Sequence, residues 1–207
     1  MPTHTFYRLR EEKQESVMRA AIHEFVTHGF ARAKVSDIAQ GAGIAKGSIF
    51  QYFEDKRELF IYAAKWGLEL FMRKIDQRMN IGDMDVYEYL ENPSPIAEVV
   101  AQESEITRFM DVVMNEPGML DESMKSMYEV GNVYTLQLIQ NGKKKGTVRS
   151  DLEDELLLEY FLSVTDRFSK RWLRLYLDVS TGAVSQEEAL NREHAQLLEL
   201  LKNGMGC

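Results

Sequence analysis

Bond-making chemistry has little to work with in this sequence. The single cysteine is Cys207, the last residue, and His4, His23, His28 and His194 are too dispersed to gather around one metal ion. His23 beside Glu24, and His194 beside Glu193, offer adventitious pairs at most. A Gly-rich phosphate loop, a His-Glu-x-x-His pair and a Gly-x-Ser-x-Gly elbow are all missing. No enzyme, cofactor or metal is therefore expected. The informative spacing lies in residues 35–53, which read as two short helices about a glycine turn. Helices that cross steeply need a small residue where their backbones meet, and Ala39 is there; they need a turn residue tolerant of left-handed geometry, and Gly43 follows four positions on. Ile38, Ala42, Ile44, Ile49 and Phe53 can hold the pair to a third helix. This is a helix-turn-helix pattern, although an ordinary helical hairpin also satisfies it.

The elements around it are helices. With 207 residues, 44% hydrophobic and 28% charged, the chain can bury a substantial core. Prolines occur only at 2, 93, 95 and 117, so long helices are permitted on either side of the middle. Strand signals are weak, and Asn141-Gly142 runs into three lysines rather than a second alternating segment. The expected fold is all-α with about nine helices. Punctuation by glycine, proline and capping residues places them near 10–28, 36–40, 46–53, 55–79, 95–115, 121–141, 151–178 and 186–202, with 82–92 the least defined part. Residues 1–60 hold 9 Lys plus Arg against 8 Asp plus Glu, whereas the rest holds 16 against 25. A nearly neutral head on an acidic body suits a chain in which only the head approaches a polyanion. No apolar run is long enough to span a membrane, and Arg8, Arg10, Glu11 and Glu12 stand where a secretory leader would be apolar, so a cytoplasmic protein is expected.

Residues 16–60, opening Glu-Ser-Val-Met-Arg-Ala-Ala and closing Ile-Ala-Lys-Gly-Ser-Ile-Phe-Gln-Tyr-Phe-Glu-Asp-Lys-Arg-Glu-Leu-Phe, resemble the DNA-binding domain of TetR-type (TetR/AcrR) transcriptional regulators. The resemblance implies a DNA-binding domain over 1–55 and a helical effector-binding and dimerisation domain over 56–207. It implies a homodimer on double-stranded DNA with a near-palindromic operator, most simply a repressor released by a small lipophilic effector. The second short helix would enter the major groove. Gln51 can then bond an adenine edge in two places, Gly47 and Ser48 allow close approach, and Tyr52 shares the outer face. Ser36 would cap the first short helix and offer its start to a phosphate, with Lys46 and Lys56 as further phosphate contacts. Phe50 stands where the family usually has tyrosine and removes one hydroxyl from the phosphate contacts. Arg8 and Arg10 read as part of a solvated terminal arm.

In the body, Trp66, Phe71, Phe109, Met110, Met114, Met127, Tyr128, Tyr134 and Phe168 offer aromatic and thioether surface for an apolar effector. Glu69, Glu103, Glu105 or Asp111 would suit a cationic one. Leu157, Phe161, Val164, Phe168, Trp172, Leu190, Leu197 and Leu201 stripe the last two helices as a dimer interface of the four-helix kind. A helical carrier of a lipophilic molecule, indifferent to operator sequence, is the alternative reading.

Overall fold

Helix α2, Glu11–Arg32, shows how this chain builds its elements. Val17, Met18, Ala21, Ile22 and Phe25 recur on one face, and all five are buried in the computed structural model. Glu11 and Glu12 lie in its first turn, where carboxylates complement the helix dipole. At Gly29 the backbone takes φ 68° and ψ 166°, so the regular helix ends there and resumes for one further turn. The structure describes residues 1–116, 118, 120–177 and 184–206, without the side chains of 120, 173–177 and 184–190. Among the described residues there is no strand, only an isolated antiparallel bridge between Val148 and Gly206. The remaining helices are α1 (His4–Tyr7), α3 (Val35–Gly41), α4 (Lys46–Tyr52), α5 (Lys56–Met79), α6 (Val86–Glu91), α7 (Ser94–Gln102), α8 (Ser104–Asn115), α9 (Leu120–Lys145), α10 (Asp154–Leu177) and α11 (Val184–Met205). The fold is all-α as expected, and the described residues form eleven helices and one 3₁₀ turn at Ile81–Asp83 against the approximate nine.

Residues 1–71 and 105–130 form one compact unit. Its centre is aromatic: Phe25 meets Phe60 edge-on at 4.9 Å, Phe60 meets Phe109 at 5.2 Å, and Phe25 stacks on Phe109 at 5.9 Å. Gly67 of α5 lets α8 come close, since a Cβ there would sit 3.1 Å from Met110 and 3.3 Å from Ile106. The terminal segment, expected to be solvated, is docked instead. Phe6 of α1 is fully buried against Phe53 at 5.1 Å and Tyr62 at 5.6 Å, and burial of that ring supplies what ordering a terminus costs.

Residues 72–104 and 131–207 form the second unit. One expected helix over 95–115 is two, α7 and α8, parted at Glu103 where φ is -107° and ψ 42°. Glu103 is buried and paired with Lys74 at 2.6 Å, which ties down the break without glycine or proline. Asn141-Gly142 does not stop α9 either. Asn141 donates to the carbonyls of Gly82 and Met84 at 2.8 Å each, and Gly142 is small because Val148 lies against it. The turn comes at Gly146, with φ 75°. The uncertain stretch after residue 80 is ordered by Asp85, whose buried carboxylate accepts from the Tyr87 and Glu88 amides and from the Thr147 hydroxyl.

In this unit α10 packs on α11 and α7, and α11 packs on α6. Of the expected interface residues, Leu157, Phe161, Phe168, Leu197 and Leu201 are buried within the chain itself, and Val164 and Trp172 are half-buried. The side chain of Leu190 lies outside the described residues. The helices are apolar on more than one face, and the stripe picked from the sequence is the inward one. Among the described side chains of α10 and α11, the large apolar ones left exposed are Leu156, Tyr160 and Leu200, and Val133 of α9 is exposed as well.

Candidate nucleic-acid interface

The orientation of α4 follows from what it buries. Ile49, Tyr52 and the adjoining Phe53 face inward, which leaves Lys46, Gly47, Phe50 and Gln51 exposed and Ser48 half-buried. Four residues spaced i, i+1, i+4 and i+5 form one outward strip carrying an ammonium, an uncovered backbone, a phenyl ring and a carboxamide. Nothing lies within 4 Å of a Cβ built at Gly47, so its backbone is open to close approach.

The helix preceding it is held at both ends by α2. The buried Glu24 carboxylate accepts the Lys34 amide at 2.9 Å, where α3 begins. At the other end Lys13 donates to the carbonyls of Ala42 and Gly43 at 2.8 and 3.3 Å, next to Gly43 with φ 62°. Gly41 allows α3 to lie close to α2, a Cβ there being 3.3 Å from that of Ala20. Helix α4 is fixed at its far end by the terminal segment, since Thr3 donates from its amide to Tyr52 O at 2.9 Å and from its hydroxyl to Gln51 O at 2.6 Å. None of these supports is spelled by periodicity. Each joins polar groups far apart in sequence.

Three expected contacts are placed differently. Tyr52 does not share the outer face: it is 8% exposed and its ring lies 5.9 Å from Phe6, because three residues after Ile49 a helix returns to the same side. Ser36 does not cap α3. That helix starts one residue earlier, and the exposed Ser36 hydroxyl donates to Asp37 at 3.0 Å. Lys56 is not a free phosphate ligand. Its ammonium donates to the carbonyls of Phe30 at 2.7 Å, Ala33 at 3.0 Å and Ala31 at 3.3 Å, and sits 4.7 Å from the Phe30 ring centre. It closes the end of α2. Lys46, Gly47 and Gln51 stay exposed on α4 and Ser48 half-buried, and Phe50 joins them as an exposed ring that the sequence marked only for what it lacks.

The residues expected to line an effector pocket differ in exposure. Phe109 belongs to the aromatic centre; Trp66 and Met110 are buried; Phe71, Met114, Met127 and Tyr134 are half-buried; Tyr128 is exposed. Phe168 stacks on His194 at 5.3 Å. Burial against that ring lowers the His194 pKa from its ordinary value of 6.5. Within the first unit, a cleft of about 440 Å³ is lined by Met114 with Arg57, Asn115, Asp121 and Glu122. Arg57 and Glu122 bridge across it at 2.8 Å, and the hydrogen bond from Arg57 lowers the Glu122 carboxyl. A second cleft of about 480 Å³ shares that pair and adds Glu54, Glu58, Tyr62 and Lys125. Both are lined by charge more than by rings.

Comparison with known proteins agrees with this geometry. Residues 17–63 match the family model for bacterial regulatory proteins of the tetR family. The HTH-type transcriptional repressor AcnR of Corynebacterium efficiens is 24% identical over 180 residues, covering 84% of this chain and 85% of that one. In fold, the fatty acid degradation regulator FadR of Bacillus halodurans superposes with a TM-score of 0.64 at 21% identity, over 92% of this chain and 98% of its own. FadR of Bacillus subtilis, solved in complex with stearoyl-CoA, superposes with a TM-score of 0.65 at 18% identity over the same shares.

Proposed function

We propose that this chain, a TetR-type regulator in its DNA-binding domain and in its all-helical fold, is a sequence-specific, ligand-responsive transcriptional repressor. The observation that carries this reading is the outward strip on α4. Lys46, Gly47, Phe50 and Gln51 are exposed together on the second helix of a helix-turn-helix, opposite the buried Ile49 and Tyr52. Residues 1–55 read DNA, and residues 56–207 serve effector binding and dimerisation. Gln51 reads an adenine edge, Lys46 meets a phosphate, and Gly47 with Ser48 admits the backbone to the groove.

A homodimer accounts for the apolar side chains left exposed on α10 and α11. Leu156 and Tyr160 lie one turn apart on α10, and the Tyr160 hydroxyl lies against Gly204, one turn beyond Leu200 on α11. That strip is the subunit interface, which sets two reading helices on successive major grooves of a near-palindromic operator. The effector is a small lipophilic molecule, a class supported by the solved FadR complex with stearoyl-CoA. Among the described residues no helix is long and apolar enough to cross a membrane. The regulator works in the cytoplasm, beside its DNA.

The test is selection of random duplex DNA by the purified protein at about 0.15 M salt, where screening suppresses non-specific binding. Recovery of a two-fold symmetric site supports the reading. Retention of nothing above the starting pool, by protein stripped of bound small molecules, refutes it.

A further inference from the structure

Phe50 is 51% exposed on the reading face of α4, a costly position for a phenyl ring in the free protein. It is not a by-product of packing, because Ile49, Tyr52 and Phe53 already fill the inward face. The residues beside it on the strip are Lys46 and Gly47, one turn back, and Gly47 leaves open space alongside the ring. The half-exposed ring lies on the side of α4 away from the buried Ile49 and Tyr52. In the major groove the base edges offer hydrogen-bond donors and acceptors together with one apolar group, the C5-methyl of thymine. A phenyl ring has no use for the former.

Building on the DNA-binding reading above, we propose that Phe50 is a specificity-determining residue that packs on a thymine methyl in each operator half-site. Gln51, the next residue on the strip, reads an adenine close by, so the core of each half-site is an A·T-containing step. Phe50 has no hydroxyl to offer a phosphate, and its ring supplies a base contact instead. Affinity is redistributed from the backbone, which is the same in every sequence, to an edge that differs between sequences.

The experiment uses the wild-type protein and the operator recovered by selection, with each thymine replaced in turn by uracil, which lacks only the methyl. At one position uracil weakens binding about fourfold per half-site, and about fifteenfold when both half-sites are changed, the worth of one buried methyl in each. Phe50→Ala, made at an exposed position, binds the thymine and uracil operators equally. Gln51→Ala keeps the uracil effect and loses discrimination against an adenine analogue without N7. Equal binding of wild type to every uracil operator overturns the proposal, as does a uracil effect undiminished in Phe50→Ala. Failure of selection to yield any preferred sequence is a different result, since it overturns the DNA-binding reading itself and the proposal with it.

Discussion

Replacing Lys56 by methionine separates two roles that a lysine at the start of α5 can have. The substitution keeps an unbranched apolar stem over Phe30 and deletes the charge. In the structure that charge donates to three carbonyls at 2.7, 3.0 and 3.3 Å, at the end of α2. A hydrogen bond to a charged group contributes about 1.5–3 kcal/mol, and a cation at a helix C-terminus about 0.3–1 kcal/mol. The contributions overlap, because one ammonium makes them all and is well hydrated in the unfolded chain. Of the three residues whose carbonyls it leaves, Ala33 is buried, while Ala31 is exposed and its carbonyl can turn to water. The net loss is about 2 kcal/mol, to be read from urea unfolding at neutral pH without DNA. The salt dependence of operator binding should hardly change. The reasoning is refuted if Lys56→Met unfolds within about 0.5 kcal/mol of wild type while the slope of log K against log salt becomes shallower by about 0.9 per subunit, the mark of a lost phosphate contact.

Phe6→Ala should lower stability by about 3 kcal/mol in the same assay, because a fully buried ring is removed from the docked terminus. Operator affinity should fall with it, since that segment holds the end of α4 through Thr3. For His194 the folded pKa lies below its ordinary 6.5, so as the pH falls below about that value the unfolded chain takes up a proton first and stability drops. Between pH 7.5 and 5.5, thermal unfolding should show a smaller loss for His194→Gln than for wild type. Leu200→Glu, at a position 61% exposed, should leave the folded chain intact and shift sedimentation from dimer to monomer. A variant that remains dimeric places the interface elsewhere.

What the sequence reveals is periodic or steric. Ile38, Ala39, Ala42, Ile49 and Phe53 recur at helical spacing, and all five are buried. Gly29 and Gly43 are legible because only glycine takes a positive φ without strain, and both do. What it hides depends on partners distant along the chain. Nothing local distinguishes Lys56, which binds carbonyls 23 to 26 residues earlier, from a lysine in solvent. Phe6 reads as part of a polar terminus until Phe53 and Tyr62 are brought to it. The stripe that the sequence offers on α10 and α11 is buried within the chain for a related reason. A helix that is apolar nearly all round has an inner and an outer stripe, and only the packing of α10 on α11 says which is which.

The side chains of the outward strip of α4 are exposed, and this has an evolutionary consequence. Buried residues are constrained by stability, so drift there is punished whatever the protein binds. Lys46, Gly47, Phe50 and Gln51 escape that constraint, and an exchange at any of them alters the preferred operator while the scaffold stays folded. After gene duplication, a copy could acquire a new set of target promoters in one or two steps without passing through an unstable intermediate. The lexicon is separable from the grammar that holds it in place.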